Sequence, residues 1–156
     1  MLIRTLVLAS ALLAGCTDED PNPTATVTAA TPDTLSPSDD LLDDLTITIE
    51  YADGDGDLGG GTAEVHDCRG EGLVTALLIP QIAAAAIVEA KTPISGTLDL
   101  HVNDVGALAT ATLAAACADL GAAAPTSTET AFCVILVDAA GHRGDGDCTA
   151  AITLTP

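Results

Sequence analysis

The chain has 156 residues, with 23 carboxylates against four Lys and Arg, a formal net charge of −19, and only one Phe, one Tyr and no Trp. That length suits one domain with a single core. The charge argues against nucleic acid as a partner, since binding it depends on neutralising phosphates with Lys and Arg, and equally against side-chain adhesion to anionic headgroups. A core without large rings must come from Leu, Ile, Val, Ala and Thr, while like-charge repulsion opposes compaction. Covalent staples and bound divalent cations are the natural compensation.

Arg4 is followed by Leu6, Val7, Leu8, Ala9, Leu12 and Leu13, and the run closes on Leu13-Ala14-Gly15-Cys16. A basic start, an apolar segment and small residues in that order form an export signal. The stretch falls short of the roughly 20 residues that a permanent span needs. It resembles the lipobox of bacterial lipoproteins. The resemblance implies that residues 1–15 are a removed signal peptide, that Cys16 becomes the first residue and is lipidated (palmitate), and that the protein is anchored at the bacterial outer membrane or cell surface. Residues 16–23 (Cys-Thr-Asp-Glu-Asp-Pro-Asn-Pro) are acidic and proline-bearing, as a solvated tether should be. The acidic run resembles a surface-export signal, and Thr17 stands where an aspartate is associated with inner-membrane retention.

The remaining residues, 24–156, read as one domain of short strands. Residues 24–30 suggest an edge strand. The clearest pattern is 45–51 (Leu-Thr-Ile-Thr-Ile-Glu-Tyr), where odd positions are apolar and even ones polar, so one face is buried. Shorter alternations occur at 62–66 and 148–154, and a longer one at 97–102, with Leu98, Leu100 and Val102 on one side. Residues 73–79, stopped by Pro80, read as a further strand. Residues 132–137 (Phe-Cys-Val-Ile-Leu-Val) are continuously apolar and read as a central strand covered on both sides. The Ala-rich segments 81–90 and 107–124 have helical propensity, and Gly121 would end a helix in the second. Short strands between Gly, Pro and Asp turns predict an all-β fold, an antiparallel β-sandwich with a short Ala-rich helical insertion.

Residues 47–58 (Ile-Thr-Ile-Glu-Tyr-Ala-Asp-Gly-Asp-Gly-Asp-Leu), 96–100 (Gly-Thr-Leu-Asp-Leu) and 134–141, ending Val-Asp-Ala-Ala-Gly, look like parts of bacterial immunoglobulin-like or fibronectin-type-III-like domains. The resemblance implies an immunoglobulin-like sandwich, without the Trp and tyrosine-corner hallmarks of antibody domains. A fold of this kind carries no activity by itself.

The chemistry concentrates in residues 51–64, where Asp53, Asp55 and Asp57 alternate with Gly54 and Gly56. Calcium takes six to eight oxygens, and interleaved glycines let carboxylates and carbonyls converge on it. The order resembles an EF-hand loop with Glu64 at its twelfth place. Leu58 nevertheless stands where the sharp-turn glycine belongs, and strands flank the loop, so a sandwich calcium loop is the better reading. Residues 138–147 form a second acidic loop. In an immunoglobulin-like sandwich it shares a pole with the loop after the second strand, so Asp53, Asp55, Asp57, Asp145 and Asp147 would line one Ca²⁺ site. The plain alternative is a solvated Gly/Asp turn.

Four cysteines follow Cys16: Cys68, Cys117, Cys133 and Cys148. An even count in an exported chain, with no Cys-x-x-Cys, predicts two disulfides. Cys133 and Cys148 bracket the last hairpin, which would leave Cys68 for Cys117; the other two pairings stay open. His66, His101 and His142 show no metal-ligand spacing and read as surface histidines. Gly59-Gly60-Gly61 lacks a phosphate loop's lysine and reads as a loop or bulge. Arg143-Gly144-Asp145 spells an integrin-type tripeptide, though an Arg pairing with neighbouring aspartates is the simpler account. The expected function is a lipid-anchored, non-catalytic binding or structural module for a protein or carbohydrate ligand. The rivals are an accessory subunit of an envelope or secretion complex, and a metal-assisted hydrolase using His66 or His101.

Overall fold

The computed structural model describes residues 20–36, 43–70, 74–81, 91–103, 105 and 113–155. Cys16 and the lipobox lie outside them, as do residues 82–90 and 107–112 of the Ala-rich segments. The described part is an all-β arrangement dominated by antiparallel pairing.

Alternation builds the first sheet. Strand β3 (Leu45–Asp53) buries Leu45, Ile47 and Ile49 completely on one face, which is what period-two polarity demands of a half-covered strand. It lies between β1 (Thr24–Thr31) and β6 (Ile94–Val102). The register sets Leu45 against Val102, Ile47 against Leu100 and Ile49 against Leu98, apolar facing apolar throughout. On the outer face, Thr48 Oγ1 donates to Asp99 Oδ1 at 2.7 Å and Thr46 Oγ1 lies 3.0 Å from His101 Nδ1. Strand β1 is an edge, as its sequence predicts. A bulge between Val27 and Ala29 shifts its parity, so that Val27 and then Ala30 oppose the core residues Ile49 and Ile47.

The second sheet has the order β5-β4-β8-β9, with β4 at Thr62–Asp67, β5 at Val74–Leu78, β8 at Phe132–Val137 and β9 at Asp147–Cys148. Ala63 and Val65 of β4 join Phe132, Val134 and Leu136 of β8 and the apolar face of β3 in one hydrophobic core. The outer face of β8 is covered too. Cys133 packs there with Cys68, Ala114, Ala131 and Cys117 of the short helix Ala115–Asp119. This explains why 132–137 is apolar at every position. The helix is all of segment 107–124 that is helical among the described residues, and Gly121, at φ +75°, follows its last turn.

A third, small sheet joins β2 (Thr34–Leu35), β10 (Ile152–Leu154) and β7 (Glu129–Thr130), with β10 parallel to β2. The single strand expected over 148–154 is therefore two. Thr149 causes the break: its amide donates to the Phe132 carbonyl at 2.9 Å while its Oγ1 accepts the Phe132 N–H at 3.1 Å. Exposed Ala150 and Ala151 then carry the chain to the other sheet.

Candidate functional site

Strand β3 ends on Asp53, and the following loop folds back because Asp53 Oδ2 accepts the Leu58 N–H at 2.8 Å. Leu58 is fully buried and anchors the loop in the core. Between them Gly56 takes φ +76° and lies against the Thr92 carbonyl, where a side chain would collide. Beyond Leu58, the triple glycine is a turn: Gly60 donates to the Ile79 carbonyl at 2.9 Å, and Ile79 returns a bond to Gly61 at 3.0 Å. A Cβ on Gly61 would strike the Val137 carbonyl and the Asp138 backbone. Glycine there is what lets this loop approach the end of β8.

The second loop begins at Asp138, the first polar residue after β8. Its side chain is fully buried. Asp138 Oδ1 accepts the His142 N–H at 2.8 Å, and Oδ2 lies 2.7 Å from His142 Nδ1. The Ala139 amide donates to the Asp57 carbonyl at 3.2 Å and ties the two loops together.

Four carboxylates meet as a result. Asp53, Asp55, Asp57 and Asp138 each offer an oxygen within 4.8 Å of the others, and Asp55, Asp138 and His142 form an overlapping group. Asp53 is only 2 % exposed. Its Oδ1 is buried without a hydrogen-bond partner, as are Oδ1 of Asp55 and Oδ1 of Asp57. Orphaned carboxylate oxygens in a protein interior are costly, because desolvation is not compensated. Burial, followed by the charges of Asp138, Asp55 and Asp53, pushes the Asp57 carboxyl up to about 6. Asp53 is also raised, chiefly by burial, against the lowering effect of the Leu58 amide. His142 is raised by its hydrogen bond to Asp138 and by that carboxylate's charge. The set therefore gathers negative charge that protons or a cation would neutralise.

The adjacency of the two loops follows the sequence expectation, but the residue that meets the Asp trio is Asp138. Asp145 and Asp147 lie away from the cluster: Asp145 is exposed, and Asp147 Oδ2 accepts the Val27 N–H at 2.8 Å beside the β1 bulge. Glu64 is likewise engaged elsewhere, accepting Arg143 Nη1 at 2.6 Å, with His66 Nε2 3.4 Å away. Arg143 thus pairs with a glutamate of β4 instead of the aspartates of its own loop. His66 and His101 sit on different sheets, β4 and β6. His66 is buried where the sequence suggested a surface position, and His101 is exposed beside Thr46. The cysteines lie in bonding pairs, Cys68 with Cys117 and Cys133 with Cys148.

Compared with protein-family models, curated proteins and solved structures, the chain finds no significant match.

Proposed function

We propose that this chain is a lipid-anchored protein of the bacterial outer membrane or cell surface, with a non-catalytic, immunoglobulin-like sandwich that Ca²⁺ stabilises between two loops. The observation that carries the cation is the buried, unpartnered Oδ1 of Asp53 on a carboxylate that offers an oxygen within 4.8 Å of one from each of Asp55, Asp57 and Asp138. Asp53, Asp55, Asp57 and Asp138 would hold the ion, mono- or bidentate, and water or backbone carbonyls would complete the six to eight oxygens of a calcium shell. The chemistry supplied is charge neutralisation. Asp53 and Asp138 are fixed by backbone amides at Leu58 and His142, so little ordering is needed when the ion arrives. The anchor rests on the lipobox resemblance around Cys16.

Melting the soluble domain with EDTA and again with millimolar Ca²⁺ tests the cation. At 100 times its dissociation constant Ca²⁺ adds about 2.7 kcal/mol, so identical melting temperatures would exclude the site. Labelled fatty acid incorporation tests the anchor: it should disappear in Cys16→Ser, and its persistence would remove both anchor and localisation.

Two exposed apolar side chains on edge strand β5, Val74 and Leu78, favour a second reading as an accessory subunit of an envelope or secretion complex. Affinity capture from membranes with Leu78→Lys beside the wild type tests it. A partner lost with that substitution supports the subunit, whereas capture unaffected by it rejects β5 as the contact.

A further inference from the structure

The outer face of β8 carries a second group of reactive atoms, independent of the acidic pole. Cys68 Sγ lies 3.5 Å from Cys133 Sγ, so the two disulfides touch. The four sulfurs form one contiguous array, in which Cys117 is bonded to Cys68, Cys68 lies beside Cys133 and Cys133 is bonded to Cys148, with Cys117 Sγ also within 4.8 Å of Cys133 Sγ. The β4 and β8 register explains the contact. His66 is paired with Cys133, and the Cys68 amide donates to the Ala131 carbonyl at 3.1 Å. Cys68 is therefore diagonal to Cys133 on the same face of the sheet. Exposure differs within the array. Cys68, Cys117 and Cys133 are completely buried, and Cys148 alone is partly accessible.

We propose that this array is a thiol–disulfide relay, in which a dithiol reductant attacking Cys148 opens the buried Cys68–Cys117 bond. The attacking thiolate forms a bond to Cys148 Sγ, the Cys133–Cys148 bond breaks, and Cys133 leaves with the electron pair as a thiolate. That thiolate is held in apolar surroundings against Cys68 Sγ. Freed from Cys148, it turns into line with the Cys68–Cys117 bond and attacks Cys68, forming Cys68–Cys133 and expelling Cys117 as a thiolate that takes a proton. The reductant's second thiol then displaces Cys148 and closes the reductant's own disulfide. One dithiol is oxidised, the protein goes from two disulfides to one, and the new bond joins Cys68, just after β4, to Cys133 of β8. The protein loses both original links, the one that ties the helix Ala115–Asp119 to Cys68 just after β4 and the one that joins β8 to β9, and keeps the single new bond between Cys68 and Cys133. Reduction at the partly exposed Cys148 thereby becomes release of a helix, while Cys68–Cys133 still cross-links the sheet.

The test uses the full-length chain with Cys16→Ser, so that four cysteines remain. One equivalent of dithiothreitol is added under native conditions, thiols are trapped with N-ethylmaleimide, and modified cysteines and crosslinks are mapped by mass spectrometry. Expected is a singly reduced species alkylated on Cys117 and Cys148 with a Cys68–Cys133 crosslink. Alkylation of Cys133 and Cys148 with Cys68–Cys117 intact would overturn the relay. So would direct loss of Cys68–Cys117 with Cys133–Cys148 retained, or appearance of the fully reduced chain alone. Cys117→Ser gives a second arm. Its freed Cys68 should capture Cys133 and leave Cys148 alkylated, whereas an unchanged Cys133–Cys148 bond contradicts the exchange.

Discussion

Strand β8 is held near its two ends by opposite means. At its C-terminal end Asp138 meets three other carboxylates, leaving buried oxygens without partners. Near its N-terminal end Cys133 enters a cluster of sulfurs that are all bonded and almost all buried. One end stores repulsion that a cation would relieve reversibly; the other is closed covalently and changes only by chemistry. The difference shows how a domain poor in aromatic rings can distribute stability: a covalent fastening at one place and, with the proposed Ca²⁺, an ion-dependent one at another.

The covalent end should dominate. Replacing Cys68 and Cys117 together by alanine is expected to cost about 4 kcal/mol in urea unfolding, from the entropy of a 49-residue loop; a loss no larger than a surface substitution would mean that this staple contributes nothing. The acidic end should show a smaller effect of opposite sign. Asp57→Asn is expected to stabilise the metal-free domain by about 1 kcal/mol, as one like charge is removed from a partly screened cluster, and to weaken the response to Ca²⁺.

The same variant changes the pH profile. Because the Asp57 pKa is raised, its contribution is fully present below pH 3.8 and is lost as pH rises through about 6. His142, also raised, adds a loss as pH climbs through its folded value, above the ordinary 6.5. Metal-free wild type should therefore weaken across the range that Asp57 spans, and Asp57→Asn should flatten that slope, as denaturation midpoints at a series of pH values will reveal. Asp145→Asn is the smallest perturbation. Its side chain is exposed and apart from the cluster, so both stability and Ca²⁺ response should stay within about 0.5 kcal/mol of wild type.

Much of the fold was legible because burial leaves a period in the sequence. The alternation at 45–51 and the unbroken apolar run at 132–137 became β3 and β8, and Gly121 follows the helix it was expected to end. The break at Thr149 was not legible, since Thr also fits a strand and its double hydrogen bonding to Phe132 is a tertiary fact. The site was half legible. The spacing of Asp53, Asp55 and Asp57 marked a converging loop, but which residue of the 138–147 loop would join them depended on strand register. Pairing of Val134 with Asp147 and Cys133 with Cys148 carries Asp147 back along β8, away from the tip where Asp138 stands. A usable signal was present all the same: Asp138 is the first polar residue after six apolar ones, so it emerges at the end of the buried strand.

Pro23 is fully buried beneath Gly144, where any side chain would strike its carbonyl, and the next residue, Thr24, is paired with Ala52 beside Asp53. The chain thus enters the domain at the acidic pole. A pull on the residues before Pro23 would load β1 lengthwise against β3, through seven register pairs that start beside the carboxylates. The domain's hold on that segment therefore begins at the acidic pole, where the proposed Ca²⁺ would add to it.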